Sequence, residues 1–275
     1  MGVEPVVEVL AEEWRAIVEL GRLLDDNDWD LPTECPGWTV RDLVSHMVGT
    51  ERSLLGEPAP PVEAEPPPHV HNEVGARNEA WVAARRSVPG HDVLDEFHAV
   101  TRRRLDALRS MPNERFDEIG PSPVGPVPYR EFMRVRVMDC WVHEQDMRVA
   151  TGRPGHASGD AASLSLERIS SAMPYVVGKR AGAPDGASVR FELRGSWPRR
   201  MDVAVRQGRA GFDVASGTEP ARSQPTVTLD MDAETFWRLG CGRVPGDAAL
   251  AAGLVEVRGD TALGETVLRA MAFMI

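Results

Sequence analysis

Hydrophobic residues recur at three- and four-residue spacing along most of the first 180 positions. That period predicts amphipathic helices. Val7, Leu10, Trp14, Ile17 and Val18 define the first, expected over residues 4–25, with Gly21 in the next register position and Leu24 resuming it. The segment DDNDWDLPTECPGW then reads as a loop. Thr39 opens a second helix with Asp42 three residues on, in capping-box register. Its apolar stripe is Val40, Leu43, Val44, Met47 and Val48. Residues 56–68 carry six prolines and read as a stiff surface connection. Further helices are expected over residues 73–87, 92–111, 128–151 and 160–177. The third of these stops at Gly152, with Pro154 behind it, as helices commonly do.

Beyond about residue 184 the period drops to two. SVRFELRG, MDVAVRQG and PTVTLDMD alternate as half-buried strands do. DAETFWRLGCGR reads as a helix with an aspartate cap, LVEVRG as a short strand, and DTALGETVLRAMAFM as a closing helix. Helices first and strands afterwards predict an α unit followed by an α+β unit, not an alternating parallel sheet. The expected division is 1–180 and 181–275. No internal repeat is visible.

Composition removes several classes of function. A chain of 275 residues with net charge −11 is a poor general partner for nucleic acid or an anionic membrane. No apolar run approaches the roughly 18 residues of a membrane span. The start, MGVEPVVEVLAEEW, is acidic and reads as lacking a secretory signal. Cys35, Cys140 and Cys241 are odd in number and widely spaced, so a disulfide framework is not expected and a cytoplasmic setting is. Lys179 is the only lysine, which leaves Schiff-base chemistry a single candidate at what reads as a helix end.

Phosphate-binding GxxxxGK[ST], dinucleotide-binding GxGxxG and the GxSxG elbow are all missing. His143-Glu144 invites a zincin reading, but position 147 is methionine and HExxH fails. Read the other way, the same helix places Asp139 four residues before His143 and Asp146 three after it, with Arg136 beside them. These share one helix face. A carboxylate and an imidazole one turn apart can hold a metal together; equally, Arg136, Asp139 and His143 can form a surface salt-bridge stripe. His46, at the edge of the second helix's apolar stripe, is either a hydrogen-bonded core histidine or a third ligand. Helix bundles build metal sites from such inward groups. His46, Asp139 and His143 would offer two nitrogens and one oxygen and leave a fourth position open, the pattern of catalytic zinc. His69 and His71 flank the proline-rich loop, and His91, His98 and His156 show no partner at ligand spacing.

ECPGWTVRDLVSHM, followed about ninety residues later by DCWVHEQDMRVATGRPG, resembles the actinobacterial mycothiol-dependent maleylpyruvate isomerase family, part of a wider DinB-like metal-binding group. The resemblance covers residues 1 to about 155. The remainder is similar, more loosely, to the sterol-carrier-like α+β domain that often follows in this family. The fold implied is a DinB-like four-helix bundle and a small α+β domain. The resemblance also implies a divalent metal, usually zinc, on His46, Asp139 and His143, and mycothiol as thiol cosubstrate. The family's prototype has glutamate where this chain has the shorter Asp139. Asp146 falls where an acidic residue near the active site is expected, and Arg243, in FWRLGCGR, matches a functional arginine. That arginine either binds an anionic substrate or caps the carbonyls of its own helix.

The implied activity is isomerisation of a small electrophile or thiol S-transfer to it, in a monomer or homodimer that binds neither nucleic acid nor membrane. In that chemistry Cys35 and Cys140 are not needed as nucleophiles, and Trp38 and Trp141 read as core and pocket wall. Two other classes remain open: a non-catalytic metal-containing module carrying an apolar small molecule, and a metal- or thiol-stress sensor. A copurifying apolar ligand without turnover would identify the carrier.

Overall fold

The computed structural model describes residues 2–61, 67–213 and 224–274. It divides into two compact units, Met1–Ser165 and Leu166–Ile275. Part of the proline-rich stretch, residues 62–66, lies outside the described residues.

The first unit is helical. α1 (Pro5–Gly21), α2 (Val40–Leu54), α4 (Gly90–Arg109) and α5 (Tyr129–Thr151) pack on one another as a four-helix bundle, and α3 (Glu73–Ala83) lies on α2. A short antiparallel pair, β1 (Ile119–Gly120) and β2 (Val127–Pro128), leads into α5. α1 stops four residues before the expected end. Leu24 is nevertheless buried, reached through turns rather than through continued helix. α2 begins on the expected capping box: the Thr39 hydroxyl accepts from the Asp42 amide, and the Asp42 carboxylate accepts from the Thr39 amide. α5 closes on Gly152 at φ 64°, a left-handed cap that glycine adopts without side-chain strain. From Met133 to Met147 α5 is buried almost all round, and Arg136, His143, Glu144, Gln145 and Asp146 are among its buried residues.

α6 (Asp160–Ser171) crosses the division between the units. The sequence pattern continues it to residue 177, but Pro174 cannot donate its backbone amide or sit in a helix interior. The chain instead forms the single turn α7 (Met173–Tyr175) and a π-helical turn over Val176–Arg180. These turns pack on β4, β5 and α10, so the segment before residue 180 belongs with the second unit.

That unit is built on a five-stranded sheet of order β5-β4-β3-β6-β7, from β3 (Ser188–Arg194), β4 (Arg199–Arg206), β5 (Arg209–Phe212), β6 (Val227–Asp232) and β7 (Val255–Gly259). Only β3 and β6 run parallel; the other pairs are antiparallel. α8 (Ala233–Gly240), α9 (Gly246–Ala251) and α10 (Thr261–Ala270) complete it. Asp232 caps α8 as expected, accepting from the Thr235 amide at 2.7 Å. Alternation puts Val189, Phe191 and Leu193 on one face of β3, where Phe191 meets Phe236 of α8 edge-on at 6.3 Å. The other face carries charge matched across strands, Arg190 with Asp202 at 2.6 Å and Arg258 with Asp230 at 3.1 Å. This is the architecture expected, an α bundle followed by an α+β unit. No described helix is long and apolar enough to cross a membrane.

Two substitutions test how α2 is seated. Thr39→Ala removes the cap and should cost about 1 kcal/mol in denaturant unfolding. Gly49→Ala points a methyl at Trp81, whose Cγ is 2.2 Å from the new carbon. It should cost about 1–3 kcal/mol by overpacking. Unchanged midpoints would contradict this account of α2.

Candidate metal centre

α2 and α5 bring His46, Asp139 and His143 to one point. Their ligand atoms lie within 4.8 Å of one another. His46 Nε2 is 3.3 Å from Asp139 Oδ2, and His143 Nε2 is 3.6 Å from Asp139 Oδ1. Two ligands each about 2.0–2.2 Å from a tetrahedral ion are about 3.3–3.6 Å apart, and each imidazole lies at that distance from one of the two Asp139 oxygens. The imidazoles meet edge-to-face with centroids 5.0 Å apart. Both histidines are buried, whereas the Asp139 side chain is 25% exposed, which gives the site a solvent-facing side. The donor set of two imidazoles and a carboxylate fits zinc or another borderline divalent ion.

The stripe on α5 is buried rather than a surface salt bridge. Arg136 donates through Nη1 to Asp139 Oδ2 and through Nη2 to Glu51 Oε1, the latter at 2.8 Å. Arg104 Nε lies 3.3 Å from the other Glu51 oxygen. Glu51 sits at 1% exposure, Arg104 at 3% and Arg136 at 4%, so this is an internal network of two cations and two carboxylates. Burial alone would raise the Asp139 carboxyl; Arg136 foremost, with the two histidines, outweighs it and holds the group well below the usual carboxylate range. His46 is shifted down by burial, against the pull of Asp139, so it favours the neutral form that binds metals.

Asp146 lies behind the site. It is fully buried, and its Oδ2 is 3.3 Å from His143 Nδ1. A carboxylate there accepts a hydrogen bond from Nδ1–H and leaves the Nε2 lone pair facing Asp139. Trp38 walls the site, its ring 5.1 Å from His46 and 6.1 Å from His143 between centroids. Its indole nitrogen is anchored on Glu79 Oε2 at 3.0 Å. Cys140 is buried beside Arg136, and burial pushes its thiol up, against Arg136. It therefore stays a packed thiol rather than a nucleophile. Trp141 is also core, with its indole N–H donating to the His156 carbonyl at 3.0 Å.

Arg243 is in the second unit, in the turn after α8. It donates through Nη1 to the Cys241 carbonyl at 2.8 Å, the helix-capping contact that its position allows. Glu51 and Arg104 are site-supporting residues that sequence reasoning misses. Neither stands at ligand spacing from anything, and only tertiary packing joins them to Arg136.

Residues 10–148 match the family described as mycothiol maleylpyruvate isomerase N-terminal domain, and residues 163–266 match its C-terminal domain. The chain belongs to the mycothiol maleylpyruvate isomerase family. It shares the fold of the crystal structure of the mycothiol-dependent maleylpyruvate isomerase, with TM-score 0.57, 17% identity and coverage of 89% of this chain and 90% of that one. A variant of that isomerase aligns with TM-score 0.58 and 16% identity, over 94% and 93% of the two chains. Two uncharacterized proteins of Mycobacterium tuberculosis are 28% identical over 145 residues, which is 53% of this chain and 65% of theirs. The chain thus spans less than two thirds of the length of these relatives. In this family member the matched N-terminal region contains every residue of the His46–Asp139–His143 cluster and its buried supports.

Replacing Asp146 by Asn keeps the shape behind His143 and removes the acceptor's charge. Metal affinity, measured by competition with a chelator, should fall about 10–100-fold. An unchanged affinity would show that Asp146 does not orient the ligand.

Proposed function

We propose that this chain is an enzyme that uses mycothiol and a divalent metal, zinc being the ion expected, to transform a small electrophile. The observation that supports it most is the convergence of one ligand atom each from His46, Asp139 and His143 within 4.8 Å in a chain of this family. When bound, the ion would acidify a coordinated thiol, whose unperturbed pKa is about 8.5. The remaining work falls to the chain's own side chains. Arg136 keeps Asp139 ionised, Asp146 orients His143, and burial keeps His46 neutral. With two neutral imidazoles and one carboxylate, a divalent ion retains a single positive charge that one thiolate neutralises. Trp38 covers the imidazoles and limits the water that can compete there.

The thiolate is the nucleophile. Adding to a cis-enone, it turns the double bond into a single bond; rotation and elimination then return the thiolate and release the trans isomer. Where the substrate carries a leaving group, the sulfur stays attached and the outcome is S-transfer. Arg243 is proposed to bind the carboxylate of an anionic substrate through its planar fork.

Incubation of the protein with mycothiol and candidate electrophiles, followed by mass spectrometry, tests this reading. Turnover should require the thiol, stop on chelation and return with zinc. Equal turnover without any thiol refutes it, and a copurifying apolar molecule with no turnover identifies a carrier instead. Arg243→Lys should raise KM for an anionic substrate about tenfold, the scale of one charge-assisted hydrogen bond, without changing metal content. An unchanged KM would remove Arg243 from substrate binding.

A further inference from the structure

Glu13 lies on the buried side of α1, between Leu10 and Trp14, and has no exposed surface. A glutamate in that position is costly unless something matches it. What faces it is a second carboxylate. Glu144 of α5 is also fully buried, and His156 reaches the same point from the loop after α5. One ligand atom from each of Glu13, Glu144 and His156 lies within 4.8 Å of the others.

The partners are unevenly shared. Glu144 Oε1 is held by Arg148, at 2.8 Å from Nε and 2.7 Å from Nη2. Glu144 Oε2 is 2.6 Å from His156 Nδ1, and Glu13 Oε2 is 3.7 Å from that nitrogen. Neither oxygen of Glu13 has a hydrogen-bond partner among the described residues. Arg148 balances Glu144 and leaves Glu13 without a cation of its own, and burial with the facing Glu144 pushes the Glu13 carboxyl well up. His156 is delivered by a strained backbone, φ 51°, and its carbonyl is fixed by the indole of Trp141 at 3.0 Å. The imidazole is thus placed against the two carboxylates by the main chain itself.

We propose that Glu13, Glu144 and His156 form a second divalent-metal site, separate from the His46 cluster, that ties α1 and the loop after α5 to α5. Two carboxylates and one imidazole suit a first-row ion such as Mn²⁺, Co²⁺ or Zn²⁺. The ion takes the place of the proton now shared between His156 Nδ1 and Glu144 Oε2 and of the one that burial and the neighbouring Glu144 favour on Glu13, and both leave to solvent. Glu13 gains the partner it lacks. Arg148 stays on the far oxygen of Glu144 and orients it. This site does not depend on the proposed enzymatic activity.

The test is a metal count on the full chain. Protein stripped by chelation is dialysed against Co²⁺ or Zn²⁺, and bound metal per chain is measured by mass spectrometry. Wild type should hold about two ions, and the His46→Ala/His143→Ala double variant about one, as the proposed ligand set requires. Adding Glu13→Gln to the double variant should abolish that last ion. In the double variant, saturating metal should raise Tm by on the order of 5 °C, and Glu13→Gln should remove the rise. Should Glu13→Gln not fold, the wild-type and double-variant counts decide alone. A double variant that binds no ion overturns the proposal, as does one whose ion survives Glu13→Gln.

Discussion

The N-terminal unit depends on one constraint: a central helix that buries Arg136, Glu144 and Asp146 with almost no access to water. Isolated ionised groups cannot stay in such a place, because desolvation costs several kcal/mol per ion. The chain meets the constraint by pairing. Arg136 bridges Glu51 of α2 and Asp139 of its own helix, and Arg104 of α4 covers the other side of Glu51. Three helices are therefore joined through charge as well as through apolar packing. Breaking such a network from one side costs about 3–5 kcal/mol, since it strands the remaining charge. The same pairing fixes the Asp139 carboxylate, so the His46–Asp139–His143 cluster inherits its geometry from the fold.

Much of this was legible in the sequence, and the rest was hidden for physical reasons. The Thr39–Asp42 cap, the Gly152 stop and the Asp139–His143–Asp146 spacing are local, and local signals survive in one dimension. Pro174 inside a helical period was a visible sign that the helix must break, which the periodicity alone overrode. β5 and α9 are too short for a period to declare itself. Strands β3 and β6 are buried on both faces, yet they were read correctly because their second face holds paired charge rather than more apolar residues. His46 could be placed at the edge of a stripe but not shown to face Asp139, because that requires the crossing of α2 and α5.

His156 marks the limit of spacing arguments. Nothing within one helical turn of it could share a ligand, so it read as unpartnered. The structure gives it Glu144, twelve positions back, and Glu13 at the other end of the unit. Only a left-handed residue in a loop brings it there. Non-glycine residues with positive φ are uncommon, and surrounding structure must hold them. Here the indole of Trp141 does so, through the His156 carbonyl.

The dipeptide His143-Glu144 gathers these threads. As half of a zincin motif it fails, because Met147 stands where the second histidine belongs. Consecutive helical residues point about 100° apart, so two neighbours cannot serve one site but can serve two. His143 turns toward Asp139 and His46, while Glu144 turns toward Glu13 and His156. Each is tethered from behind by a residue one turn along, Asp146 for His143 and Arg148 for Glu144. The two tethers have opposite charge because the two side chains differ in kind: an imidazole needs its far nitrogen to donate, and a carboxylate needs its far oxygen to accept. A single stretch of α5, residues 139–148, thus carries members of both proposed sites and their orienting groups on two faces. That double duty explains why the helix is polar where the bundle buries it most.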